Sequence, residues 1–181
     1  MKKSASASVL SASGTCPKKN GKTWASLLLL DYFSKYTKAW YVSAEEGIDL
    51  EFKESIKRAK IDVKNRNVQF SEYTPIEDLK IMLKKQRAPK VVFIDNLTVY
   101  SDEFTSSEIK KIKKEFPKTL FVFIAHEEKG KPYLSCANTA SKLAKVIIRV
   151  DGLSLLVGGR VPGGSLNINE EKATLYHGQT A

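Results

Sequence analysis

Eight consecutive residues, Cys16-Pro17-Lys18-Lys19-Asn20-Gly21-Lys22-Thr23, have the types and spacing to hold a polyphosphate. The pattern for such a loop is Gly, four residues, then Gly-Lys-Ser/Thr. Gly21-Lys22-Thr23 keeps its second half; Cys16 stands at the first glycine position, with Gly14 two residues earlier. A loop that opens a helix aims several backbone N–H groups at one point. Gly21 keeps a Cβ away from the closest approach. Lys22 would reach the terminal phosphates and the Thr23 hydroxyl would ligate Mg²⁺. Trp24 follows directly, so residues 16–24 form the expected contact stretch. An ordinary Lys/Gly turn would look similar, but here an apolar run precedes the loop and a helical pattern follows it.

Four further positions fit the same chemistry. Asp95 ends the apolar run Val91-Val92-Phe93-Ile94. A carboxylate at the C-terminal end of a buried strand lies where open α/β sheets bind ligands, and can hold a water of the Mg²⁺ shell. Glu45 and Glu46 directly follow the strand-like Trp40–Ser43, where a carboxylate would orient and polarise an attacking water; a helix start that favours acids is the plainer reading. His126, after the run Thr119–Ala125, would contact the terminal phosphate. Arg160, in Gly158-Gly159-Arg160-Val161-Pro162-Gly163-Gly164, is either a solvated arginine or a finger that stabilises charge on a neighbour's transferring phosphoryl group. Lys129, Lys131 and Tyr133 lie close together within Glu127–Ser141, as a single-strand nucleic-acid contact needs.

The elements that must position these residues alternate between strand-like and helical patterns, the signature of a parallel sheet covered by helices. Strands are expected at 6–12, 39–43, 67–70, 90–95, 119–125 and 145–150. Helices are expected at 22–36, with an apolar face including Leu28 and Tyr36, at 49–60, 74–86, 105–116 and 139–144. Thr74-Pro75-Ile76-Glu77 and Thr105-Ser106-Ser107-Glu108 have the form of capping boxes, the first with proline at the first helical position. Residues 153–157, 165–168 and 173–176 read as a terminal antiparallel meander, with Gly158-Gly159 and Pro162-Gly163-Gly164 as its turns.

The 181 residues fit one domain, 1–181, and 42% are hydrophobic, enough for a core without disulfides. Two cysteines without metal-ligand spacing suit a reducing compartment and speak against zinc. No run approaches a membrane span or a signal peptide, so a cytoplasmic protein without a membrane partner is expected. Thirty Lys and Arg against twenty Asp and Glu give a net charge of +10, which favours polyanion partners or simply a solubilised surface.

In this order the motifs resemble the RecA-like P-loop ATPase core, in particular the C-terminal domain of DnaB-type replicative helicases and the RadA/Sms ATPases. Trp40–Glu46 is similar to their strand-Ser-x-Glu element, Val92–Leu97 to their Walker B strand, Phe123–Gly130 to the RadA sensor segment, and Leu156–Gly164 to the Lys-Asn-Arg-x-Gly finger element. Cys16 and Gly158 depart from the pattern, the latter replacing the finger lysine. The resemblance implies a RecA-like mainly parallel sheet flanked by helices, with ATP on 16–24, Mg²⁺ on Thr23 and Asp95, Glu45 as base, Lys22 and His126 on the phosphates, and Arg160 acting in trans. It further implies single-stranded DNA, a homo-oligomeric ring or filament, and other replication or recombination proteins as partners. A nucleotide-binding switch with little turnover and a small-molecule P-loop kinase are the alternatives.

Overall fold

A computed structural model of the chain describes residues 8–12, 21–128, 131–132, 134–171 and 173. The strands are β1 Ser8–Ala12, β2 Ala39–Ser43, β3 Val68–Ser71, β4 Val91–Asp95, β5 Leu120–Glu128, β6 Lys131–Pro132, β7 Val146–Asp151, β8 Ser154–Gly159 and β9 Gly164–Asn167. The helices are α1 Lys22–Ser34, α2 Leu50–Arg58, α3 Ile76–Lys84, α4 Ser106–Glu115 and α5 Ser135–Leu143, with a 3-10 turn at Leu97–Tyr100. The sheet runs in the order β3-β2-β4-β5-β1-β7-β8-β9. Strands β3 to β7 along this path are parallel, and β8 and β9 continue it antiparallel. The expected mixed α/β architecture with an antiparallel extension is therefore present.

Side-chain alternation on the central strands sorts the core into two layers. Trp40, Val42, Val92, Ile94, Phe121 and Phe123 pack with residues of α3, α4 and α5. Tyr41, Val91, Phe93, Val122 and Ile124 pack with residues of α1 and α2 on the other face. Burial on both faces is why these strands read as continuous apolar runs. Trp40, Tyr41 and Phe93 are fully buried, and each such side chain contributes on the order of 2–3 kcal/mol.

Several sequence expectations need correction. Thr74 does not cap α3: Pro75 occupies the N-cap without a side-chain bond, and the Ile76 N–H donates instead to Glu103 Oε2 at 2.8 Å. At α4, Thr105 does cap, accepting from the Glu108 N–H at 3.2 Å, but the Glu108 side chain turns to Lys80 rather than back to Thr105. Strand β5 continues to Glu128 because β6 pairs with its end, so His126 lies within the strand and not beyond it. Helix α5 begins four residues earlier than expected. Leu28 and Tyr36 are exposed rather than part of the buried face of α1. Gly158 and Gly159 end β8; the turn before it is Gly152-Leu153, both at positive φ. Ala173 is helical along with Glu170 and Glu171, and the rest of the expected strand, 174–176, lies outside the described residues.

Candidate functional site

Four neighbouring strands deliver the candidate residues to one edge of the sheet, the edge formed by the C-terminal ends of the parallel strands. Lys22 opens α1 after β1, Glu45 follows β2, Asp95 ends β4 and His126 lies near the end of β5. Ser43 and Asp95 are register partners, as are Ala12 and His126. The backbone ties Glu45 directly to this edge, since its N–H donates to Asp95 O at 3.4 Å. Neighbouring parallel strands thus place at one level residues that are far apart in sequence.

Gly21 caps α1 in the left-handed region, at φ 81°. Its backbone conformation favours glycine, and a Cβ there would lie 2.6 Å from Leu153 Cδ2 and 3.6 Å from Ile168 Cδ1, so the Leu153 side chain would have to shift. Helices α2, α3 and α4 each place a carboxylate in the first turn, whereas α1 and α5 place none.

Lys22 Nζ lies 2.6 Å from His126 Nδ1. An ammonium can only donate, so Nδ1 accepts and the ring proton sits on Nε2. That atom lies 3.4 Å from Glu45 Oε2, which also accepts from Asn96 Nδ2 at 2.9 Å. Burial pushes the Glu45 carboxyl upward, but the Asn96 amide, His126 and Lys22 outweigh it, and its pKa lies below the ordinary value. Glu46 moves the other way, raised by burial and by Glu45, Asp49 and Glu51. Two adjacent carboxylates are thus driven apart, with Glu45 held ionised.

Asp95 is pushed up to about 6, first by burial and also by Glu46 and Glu45, against the lowering influence of the Tyr41 hydroxyl and Lys22. Tyr41 OH donates to Asp95 Oδ2, and Ser26 Oγ lies 3.1 Å from Tyr41 OH. Ser26 Oγ also bonds Lys22 O at 2.9 Å and Thr23 O at 3.0 Å. A buried chain of hydroxyls therefore joins Asp95 to the first turn of α1, which carries Lys22 and Thr23. Beside Glu45, a cleft of about 400 Å³ is lined by Glu46, Ile48, Asp49, Glu72 and Tyr73.

The structure thus brings together Lys22, Thr23, Glu45, Asp95 and His126. It does not bring Arg160 to them: β8 runs antiparallel to β7, and Gly159 pairs with Val146 at the start of β7, so Arg160 lies at the opposite edge of the sheet. The Trp24 side chain packs against the core layer beneath α1. Cys16, Pro17, Lys18, Lys19 and Asn20 lie outside the described residues, as do Lys129 and Tyr133; Lys131 is described only as backbone of β6. Sequence reasoning missed Asn96, Tyr41 and Ser26. Their signals were slight: an amide directly after Asp95, a hydroxyl within a buried strand, and a small polar residue four positions after Lys22. Among the described residues, no group of three His, Cys, Asp or Glu side chains is placed to hold a metal ion by itself. No described helix is long and apolar enough to cross a membrane.

The sequence matches no protein-family model. A comparison with curated proteins also found no match. Among solved structures, the chain is similar to an ATP synthase subunit, NeqB, from Nanoarcheaum equitans, with a TM-score of 0.55 at 9% identity. The similarity covers 81% of this chain and 45% of that subunit, so the chain spans under half of its length. At this identity the likeness concerns the fold.

Proposed function

We propose that this protein is a RecA-like ATPase that binds ATP with Mg²⁺ at the C-terminal edge of its sheet, hydrolyses it, and acts on DNA. The observation that carries the proposal is the convergence of Lys22, His126, Glu45 and Asp95 from four adjacent strands. The distant fold likeness to an ATP synthase subunit agrees with a nucleotide ligand. The net charge of +10 agrees with a polyanionic partner.

Each residue then has a defined task. Lys22 leaves His126 Nδ1 for the terminal phosphate oxygens, adding its charge to the N–H dipoles at the start of α1. Thr23 and, through water, Asp95 would hold Mg²⁺, which neutralises phosphate charge. Their fit rests on the Ser26–Tyr41 hydroxyl chain, which fixes the α1 turn relative to Asp95. Glu45 takes a proton from a water molecule as the water oxygen bonds to the γ-phosphorus and the bond to the bridging oxygen breaks. Asn96 occupies Glu45 Oε2, leaving Oε1 for that proton. His126, released by Lys22, takes up a proton at Nδ1 and donates it in a hydrogen bond to the phosphate, while its Nε2–H stays toward Glu45 Oε2. Arg160 would serve the site of a neighbouring copy in a homo-oligomer.

The test is phosphate release from ATP by the purified protein, with and without single-stranded DNA, beside Lys22→Ala. Turnover that needs Mg²⁺ and is lost in Lys22→Ala supports the reading. Tight ATP binding without turnover would replace the ATPase with a nucleotide-binding switch.

A further inference from the structure

At the opposite edge of the sheet, where the parallel strands begin, the chain places a basic residue at nearly every described strand entrance. Lys38 directly precedes β2, Lys90 precedes β4 and Lys145 precedes β7; Arg66 and Lys118 each stand two residues before β3 and β5. These positions are side by side. The Lys90 N–H donates to Lys38 O at 3.0 Å, and the Leu120 N–H donates to Lys90 O at 2.8 Å. In the order β3-β2-β4-β5-β1-β7, the row crosses five strand spacings, or about 24 Å. Lys113 of α4 joins it beside Lys145, with its ammonium bonded to Leu143 O at 3.0 Å.

Cations at helix C-termini are ordinary, since they complement the helix dipole. That explanation covers Lys57 and Lys84, but not the strand-entry residues, which lie beyond the last helical turns. The acids at this edge are also engaged elsewhere: Asp31 pairs with Lys35, Glu115 with Lys84, and Asp62 caps the Lys64 N–H. Among the described residues, none of the six row cations has an ion-pair partner. Neighbouring unpaired cations repel one another, a strain that a partner carrying a line of negative charge relieves. Around Lys113 the same repulsion adds to burial, which is the first cause of its lowered pKa, followed by Lys145 and Arg160.

We propose that this row, Arg66, Lys38, Lys90, Lys118, Lys145 and Lys113, is a docking surface for the phosphate backbone of single-stranded nucleic acid, separate from the nucleotide edge. Single strands are favoured because Tyr32 and Tyr36 lie at the same end, on the last turn and exit of α1. They are 53% and 73% exposed, with ring centroids 5.4 Å apart. Exposed rings beside a cationic track are what unpaired bases stack on. The surface goes beyond the proposed ATPase, because it needs neither ATP nor hydrolysis.

Fluorescence anisotropy with a labelled oligothymidylate of about 20 nucleotides tests it on the full chain across a salt series. The variant Lys38→Gln/Lys90→Gln/Lys118→Gln removes three exposed charges without touching a core side chain. The expected result is binding weakened at least about tenfold near 0.1 M salt, with the slope of log K against log salt reduced by about 2. Lys22→Ala should bind the oligonucleotide as wild type does, which separates this surface from the nucleotide site. A thermal melt shows whether the triple variant is folded; if it is not, Lys90→Gln alone should lower the slope by about 0.7. Unchanged binding and slope in the folded variant would overturn the proposal. So would binding to vesicles of anionic phospholipid with none to the oligonucleotide, which would make the edge a membrane-facing surface.

Discussion

The two edges of the same sheet carry charge in opposite ways. At the C-terminal edge, ionisable groups hold one another: Lys22 on His126, His126 and Asn96 on Glu45, Tyr41 on Asp95. At the N-terminal edge, Lys38, Lys90 and Lys118 point outward unpaired. Chain direction accounts for helix-end cations such as Lys57 and Lys84, but not for the strand-entry lysines. In a parallel sheet every helix begins at one edge and ends at the other, so dipoles draw acids to the first and bases to the second. What differs is constraint. Interlocked groups have shifted pKa values and fixed directions, which chemistry requires. Free cations on flexible stems attract a polyanion but cannot select one atom of it.

Four substitutions set the two edges apart. The largest effect belongs to Glu45→Gln, which keeps the Asn96 contact but removes the proposed base. Its kcat for ATP hydrolysis should fall by about 10²–10⁴-fold with nucleotide affinity within a few-fold of wild type, as single-turnover kinetics and a binding titration would show. An unaltered kcat would place the base elsewhere. Next is Gly21→Ala, which forces a left-handed alanine against Leu153 and should cost about 2 kcal/mol, or roughly 5 °C in a melt. Gly158→Ala is its control, with no atom within 4 Å of the added methyl.

Asp95→Asn should act in the reverse direction on stability. The folded pKa of about 6 lies above the ordinary 3.8. Ionised Asp95 therefore destabilises the fold above pH 6, and the penalty fades as pH falls through 6 toward 4. The variant should gain about 1–3 kcal/mol at pH 7.5, shrinking toward zero at pH 4, while losing Mg²⁺-dependent turnover. Melts across that pH range would refute the assignment if the gain were constant. Smallest of all, Lys118→Gln should change stability by less than about 0.5 kcal/mol, as expected of an unpaired surface cation.

The parallel architecture was legible in the sequence because apolar runs such as Val91–Ile94 and Phe121–Ile124 leave little choice. Lys22, Glu45, Asp95 and His126 were legible for a related reason: each stands at the end or beginning of such a run, so placing the run placed the residue. Asn96, Tyr41 and Ser26 were not, because their roles are contacts across 51, 54 and 15 residues of chain. The expected cap at Thr74 failed because Glu103, 27 residues away, reaches the Ile76 N–H. The Gly152-Leu153 turn was missed because nothing local announces a leucine at positive φ. Arg160 carried a motif-like context, yet strand direction, not spacing, decided which edge it occupies.

Leu153 and Ile168, which lie against Gly21, come from the β7–β8 turn and from just after β9. A fragment cut after Asp151 would keep Lys22, Glu45, Asp95, Asn96 and His126, yet lose the wall behind Gly21. The segment that closes over the start of α1 thus lies beyond the parallel sheet, between Leu153 and Ile168.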